Sequence, residues 1–130
     1  MKLETNESVY EHMGKMCEGW GEDLMGKHGY SAVGAVVGAT YPEQLGEMRA
    51  KLPHTFFLVP GYGAQGGGAD DVKNAFDENG LGAIINSSRG IMCAWKKQGL
   101  TEEDFAVAAR KEAERMRDEI VGCIGKIKLG

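Results

Sequence analysis

Two short stretches hold residues whose types and spacing could grip an anion. The first is Pro60-Gly61-Tyr62-Gly63-Ala64-Gln65-Gly66-Gly67-Gly68, with five glycines among residues 61–68. So many glycines cost backbone entropy, which a chain tolerates where it must turn tightly or let a ligand come close. Bare amides in such a loop can cradle an anion, and Gln65 adds a polar donor in its middle. The second stretch is Asn86-Ser87-Ser88-Arg89-Gly90. It places Arg89 in the first turn of an expected helix, where its charge opposes the helix dipole. The placement makes sense if an anion sits at that helix end, where free N–H groups and a forked guanidinium converge on one phosphate. A plain flexible connection and a solvated arginine are the bland alternatives to each stretch alone. Together they predict a site for a phosphorylated small molecule.

Other chemistries fit less well. Gly61-Tyr62-Gly63-Ala64-Gln65-Gly66 matches G-x-G-x-x-G, but a dinucleotide site wants an acidic residue about 20 positions on, where this chain has Asn86. Pro60, Gly67 and Gly68 also delay the helix that such a motif should open. Cys17, Cys93 and Cys123 are odd in number and widely spaced, which argues against a disulfide framework or a zinc site. His12, His28 and His54 match no metal motif and read as surface or half-buried residues. Fifteen basic against nineteen acidic residues leave a net charge of -4, which argues against a general nucleic-acid grip. No apolar run approaches the ~20 residues of a membrane span, and no signal-peptide core is evident, so a reduced cytoplasm is expected.

The elements that must position these stretches follow from periodicity. Val9, Tyr10, Met13, Met16, Cys17, Trp20 and Leu24 recur at helical spacing, which predicts a core-facing helix. Ser8 with Glu11 is a capping box, and Gly26 and Gly29 suit the stop. Residues 32–38 are apolar without alternation, as in a strand buried on both faces. Thr40, Pro42 and Glu43 predict a helix start, followed by a stripe of Leu45, Met48 and Leu52 that Pro53 closes. Residues 55–59 form a second expected strand, and Asp70 is placed to cap a short helix burying Val72, Ala75 and Phe76. Asn79-Gly80 is a turn. Residues 83–85 form a third strand, and Ser87 or Ser88 opens a helix that Gln98-Gly99 ends. A last helix begins at Thr101 with Asp104 completing its cap. Its stripe is Phe105, Ala108, Ala109, Glu112, Met116, Ile120 and Cys123, with Lys126 and Lys128 favouring its C-terminus. Alternating βα units predict an α/β fold, a single domain over residues 1–130 with about three parallel strands. The spacing suits a doubly wound sheet or a piece of a (β/α)8 barrel. In either, ligands bind at the C-terminal strand ends, where both glycine- and arginine-bearing loops lie.

Val33-Gly34-Ala35-Val36-Val37-Gly38-Ala39-Thr40, Leu58-Val59-Pro60-Gly61-Tyr62-Gly63-Ala64-Gln65-Gly66-Gly67 and Ile85-Asn86-Ser87-Ser88-Arg89-Gly90, in this order, resemble the C-terminal part of orotidine 5'-phosphate decarboxylase, in its bacterial P-G-x-G-A-Q-G-G branch. The resemblance runs over about residues 9 to 124. It implies a partial (β/α)8 TIM barrel and an enzyme family of de novo pyrimidine biosynthesis. That family works as a homodimer without metal or cofactor, turning orotidine 5'-phosphate into uridine 5'-phosphate and CO2. It implies that Gln65 and Arg89 hold the substrate phosphate, that the Ser88 amide helps, and that Pro60 lines the pyrimidine pocket. The family's chemistry rests on D-x-K-x-x-D, which this sequence lacks. Its nearest string, Asp71-Val72-Lys73-Asn74-Ala75-Phe76, ends in Phe76 and lies on an expected helix, so Asp71 and Lys73 read as solvated. No catalytic residue is assigned, and the chain alone is expected to be inactive. Three parallel strands leave two open edges, which predicts self-association or a companion N-terminal fragment. A non-catalytic phosphate-binding module is the alternative reading.

Overall fold

A computed structural model describes residues 1–63, 68–125 and 127–128. Helix α1 spans Val9–Trp20, strand β1 Gly34–Val36, helix α2 Pro42–Lys51 and strand β2 Phe56–Pro60. Short helix α3 spans Ala69–Val72 and strand β3 Ala83–Asn86. Two short helices, α4 (Ser88–Met92) and α5 (Ala94–Lys97), precede the long α6 (Phe105–Ile124). The three strands form one parallel sheet in the order β1-β2-β3. Gly34 pairs with Phe56, Leu58 with Ile84, and Pro60 with Asn86.

One face of the sheet is packed. Phe57 and Val59 are fully buried against Leu45, Met48 and Leu52 of α2, Val72 and Ala75 around α3, and Met116 and Ile120 of α6. The stripe expected for α2 is therefore the one that is buried. The opposite face is open. Val36 is 69% exposed and Ile84 58%, with Phe56 and Leu58 also exposed. This corrects the expectation that residues 32–38 form a strand buried on both faces. An apolar run reports that a strand can be covered twice, whereas among the described residues helices cover this sheet on one side only.

Helix α1 carries the expected capping box: the Ser8 hydroxyl accepts from the Glu11 N–H, and the Glu11 carboxylate accepts from the Ser8 N–H at 3.1 Å. Its stripe does not become core. Tyr10, Met13, Met16, Trp20 and Leu24 are exposed, and Gly14 is its buried residue. The helix also stops earlier than Gly26, at Gly21, where a Cβ would lie 2.1 Å from the Ser31 hydroxyl. Close packing of the returning chain ends this helix, a signal that periodicity does not carry.

Three smaller corrections concern caps. Tyr41 rather than Thr40 precedes α2. Asp71, not Asp70, serves α3: its carboxylate accepts from the Gly68 N–H at 2.8 Å, so Asp71 is half-buried rather than solvated. Lys73 is exposed, as expected, and pairs with Asp70. Thr101 opens a 3-10 turn whose hydroxyl donates to Asp104, and α6 starts only at Phe105. Phe105 and Cys123 are exposed, whereas Ala108, Met116 and Ile120 of the same stripe are buried. Lys126 lies outside the described residues.

Under the N-terminal end of the sheet, Arg49 is buried. Its Nη1 donates to the carbonyls of Gly82 at 3.0 Å and Ala75 at 3.3 Å, and its Nη2 to those of Thr55 at 2.7 Å and Leu52. The guanidinium carbon stands 4.1 Å from the Phe57 ring centre and 5.3 Å from that of Tyr30. Tyr30 in turn donates to Asp77 at 2.7 Å. In a parallel α/β fold this end serves stability, and the opposite end is free for ligands.

Candidate functional site

Because the strands are parallel, all three C-terminal ends open on one side of the molecule. Pro60 closes β2, half-buried, and its register partner Asn86 closes β3. The Ala39 N–H from the loop after β1 reaches the Pro60 carbonyl at 3.4 Å. The glycines begin the next loop with a conformational reason: Gly61 has φ of +102° and Gly63 of +76°, both costly for a residue with a Cβ. Gln65, the residue expected to donate from mid-loop, lies outside the described residues.

Ser88 and Arg89 are the first residues of α4, and both are exposed. The Asn86 side-chain amide donates to the Ser88 hydroxyl at 3.3 Å. Ser87 precedes the helix but does not cap it. Its hydroxyl instead donates to the Tyr62 carbonyl at 3.1 Å and is buried. Gly90 makes room for it, since a Cβ there would lie 2.3 Å from the Ser87 Oγ. The structure thus brings Pro60, Ser88 and Arg89 to the ends of two adjacent strands.

Tyr62 lies in the glycine-rich stretch and is buried. Its hydroxyl donates to a carboxylate oxygen of Glu119 on α6, and the other oxygen accepts from Arg115 at 2.5 Å. Arg115 also holds Glu112 through two bonds of 2.6 and 3.0 Å. Burial first, and the Glu119 carboxylate second, push the Tyr62 phenol up to about 12. Sequence reasoning did not single out Tyr62, Ser87 or Glu119 for this site. The one available trace was Glu112, the polar member of an otherwise apolar stripe.

Among the described residues no group of three His, Cys, Asp or Glu side chains is placed to hold a metal ion. His12, His28 and His54 are all exposed. A groove of about 650 Å³ among the described residues is away from the β2 and β3 loops. It runs along the open edge of β1 between Met13 and Cys17 of α1 and Leu45 and Met48 of α2.

No family model matches the chain. Curated relatives do. The orotidine 5'-phosphate decarboxylase of Clostridium tetani is 48% identical over 116 residues, which is 89% of this chain and 40% of that protein. The same enzyme of Clostridium perfringens is 51% identical over 112 residues, 86% of this chain and 38% of that one. The chain is homologous to part of orotidine 5'-phosphate decarboxylase. It spans about two fifths of the length of these curated relatives. Solved structures agree. The OMP decarboxylase of Leishmania donovani superposes with a TM-score of 0.65 at 28% identity, covering 92% of this chain and 40% of that one. The UMP synthase of the same organism gives 0.66 at 32% identity, covering 92% and 24%. OMP decarboxylases are TIM barrels, and the three parallel strands with their flanking helices are a partial one.

Proposed function

We propose that this chain is the phosphate-gripping portion of an orotidine 5'-phosphate decarboxylase. In this reading Arg89 and Gln65 hold the 5'-phosphate of orotidine or uridine 5'-phosphate, the Ser88 amide donates to the same group, and Pro60 borders the pyrimidine. The observation that carries the reading is the homology to orotidine 5'-phosphate decarboxylase, aligned over 86–90% of the chain at about half identity. The placement of Pro60, Ser88 and Arg89 at neighbouring C-terminal strand ends supports it. A remote phosphate grip helps an enzyme lower a barrier elsewhere on the substrate. The residues that would do that chemistry are not in this sequence, which has no D-x-K-x-x-D. Decarboxylation therefore needs them from another chain or another segment. The two open sheet edges and the exposed apolar face support a second copy or a companion fragment as partner.

Titration with uridine 5'-phosphate, followed calorimetrically and by NMR at the Gln65 and Arg89 side chains, tests the reading. Binding with shifts at both is expected, as is weaker binding of adenosine 5'-phosphate and ribose 5-phosphate. No binding refutes the reading. Equal binding of all three phosphates refutes the pyrimidine assignment and favours a general phosphate-binding module.

A further inference from the structure

The turn at Gly61–Gly63, which leads from β2 toward the proposed grip, has little stiffness of its own. Gly61 and Gly63 flank Tyr62 with positive φ, and glycine loses more conformational freedom on ordering than any other residue. Something must fix this turn, and Tyr62 makes the bonds that can. It is 5% exposed. Its hydroxyl reaches Glu119 on α6, and its carbonyl accepts from Ser87, the residue immediately before Ser88 and Arg89. Glu119 is itself steadied by Arg115, which Glu112 holds through its two oxygens. Three parts of the fold therefore meet at one residue: the end of β2, the long helix α6 and the start of α4. With the phenol raised to about 12, it keeps its proton and remains a donor across the neutral range.

We propose that Tyr62 is a positioning residue for the phosphate site, holding the Gly61–Gly63 backbone to α6 and, through Ser87, setting where Ser88 and Arg89 stand. The inference rests on the function proposed above, since without an anion there is nothing to position. Its cause is geometric. A guanidinium and amides reward an anion only when their donors converge, and a displacement of the order of 1 Å is enough to lose much of that.

The test compares four full-length proteins: the unaltered chain, Tyr62→Phe, Glu119→Gln and Glu119→Leu. The uridine 5'-phosphate dissociation constant is measured at a temperature where every variant is folded, alongside the thermal midpoint. Tyr62→Phe keeps the buried ring and removes the tether, so binding is expected to weaken roughly fivefold to tenfold. Glu119→Leu is expected to match it. Glu119→Gln still hydrogen-bonds the phenol and should stay within about twofold of the unaltered chain. A merely stabilising Tyr62 would lower the midpoint and leave the dissociation constant of the folded protein unchanged. If Tyr62→Phe does not fold, the two Glu119 variants decide alone. Unaltered protein that binds while Tyr62→Phe or Glu119→Leu binds equally well refutes this inference only. Glu119→Gln as weak as Glu119→Leu also refutes it, because charge rather than the tether would then matter. Failure of the unaltered chain to bind refutes the function proposed above and this inference together.

Discussion

Replacing Arg49 with methionine tests the account of what holds the sheet to its helices. Arg49 is 8% exposed and its guanidinium donates to four carbonyls, those of Leu52, Thr55, Ala75 and Gly82. Burial holds its pKa below the usual arginine value, against the opposing pull of Tyr30, Asp77 and Glu18, yet the group stays charged at every ordinary pH. Methionine fills much of the same space and keeps apolar contact with Phe57, so the lost packing is small. The lost donors are not. The Gly82 carbonyl still accepts from the Phe57 N–H and the Leu52 carbonyl from the Thr55 N–H. The penalty therefore falls mainly on the Ala75 and Thr55 carbonyls. Each buried acceptor left without a donor costs about 1–3 kcal/mol, so the pair costs about 2–6 kcal/mol. Relief from desolvating a guanidinium offsets part of this, which leaves a destabilisation of about 3 kcal/mol. That is a large share of the ~5–15 kcal/mol that stabilises a typical domain. Arg49→Lys should lose nearly as much, because one ammonium cannot reach carbonyls on both sides of a planar fork. Urea denaturation followed by circular dichroism measures both variants. A loss below ~1 kcal/mol for Arg49→Met would show that water, not the guanidinium, satisfies these carbonyls, and the clamp would be discarded.

Two further outcomes are expected. For Asp77, burial pushes the carboxyl up, but hydrogen bonds from Tyr30 and the backbone N–H groups of Leu81 and Asn79 outweigh it, and the net shift is downward from 3.8. A depressed folded pKa stabilises fully above the unfolded value and less as pH falls through the folded one. The thermal midpoint should therefore fall as pH drops below ~4, and Asp77→Asn should flatten part of that fall; an unchanged slope would rule out this carboxylate as a source. The open face bearing Val36, Phe56, Leu58 and Ile84 should drive association, so sedimentation of the unaltered chain should show more than monomer, and Ile84→Lys should shift it toward monomer. A clean folded monomer in the unaltered chain would refute a second copy as the partner.

Much of the local order was legible in residue types alone. Ser8 and Glu11 announced the start of α1, Leu45, Met48 and Leu52 the buried stripe of α2, and Asn79-Gly80 a turn that does use positive φ at Gly80. The alternation of apolar β-branched runs with helical stripes determined a parallel sheet, and a parallel sheet determines that the loops bearing Pro60, Ser88 and Arg89 share one end. These are properties of short windows, and short windows carry them.

What stands opposite each face is not a property of a window. The stripe of α1 and the apolar run around β1 read as core, and tertiary structure left Tyr10, Met13, Trp20 and Val36 exposed because the described residues cover them only in part. Arg49 belongs to no motif, and only the fold reveals the four carbonyls gathered around it from three stretches of chain. Ser87 reads as a cap, and Tyr62 as one more loop residue. Their link, and the tie to Glu119 57 residues further along, exist only where β2, α4 and α6 meet. Periodicity records which side of an element prefers to leave water; the partners that satisfy its polar groups are chosen by distance in space.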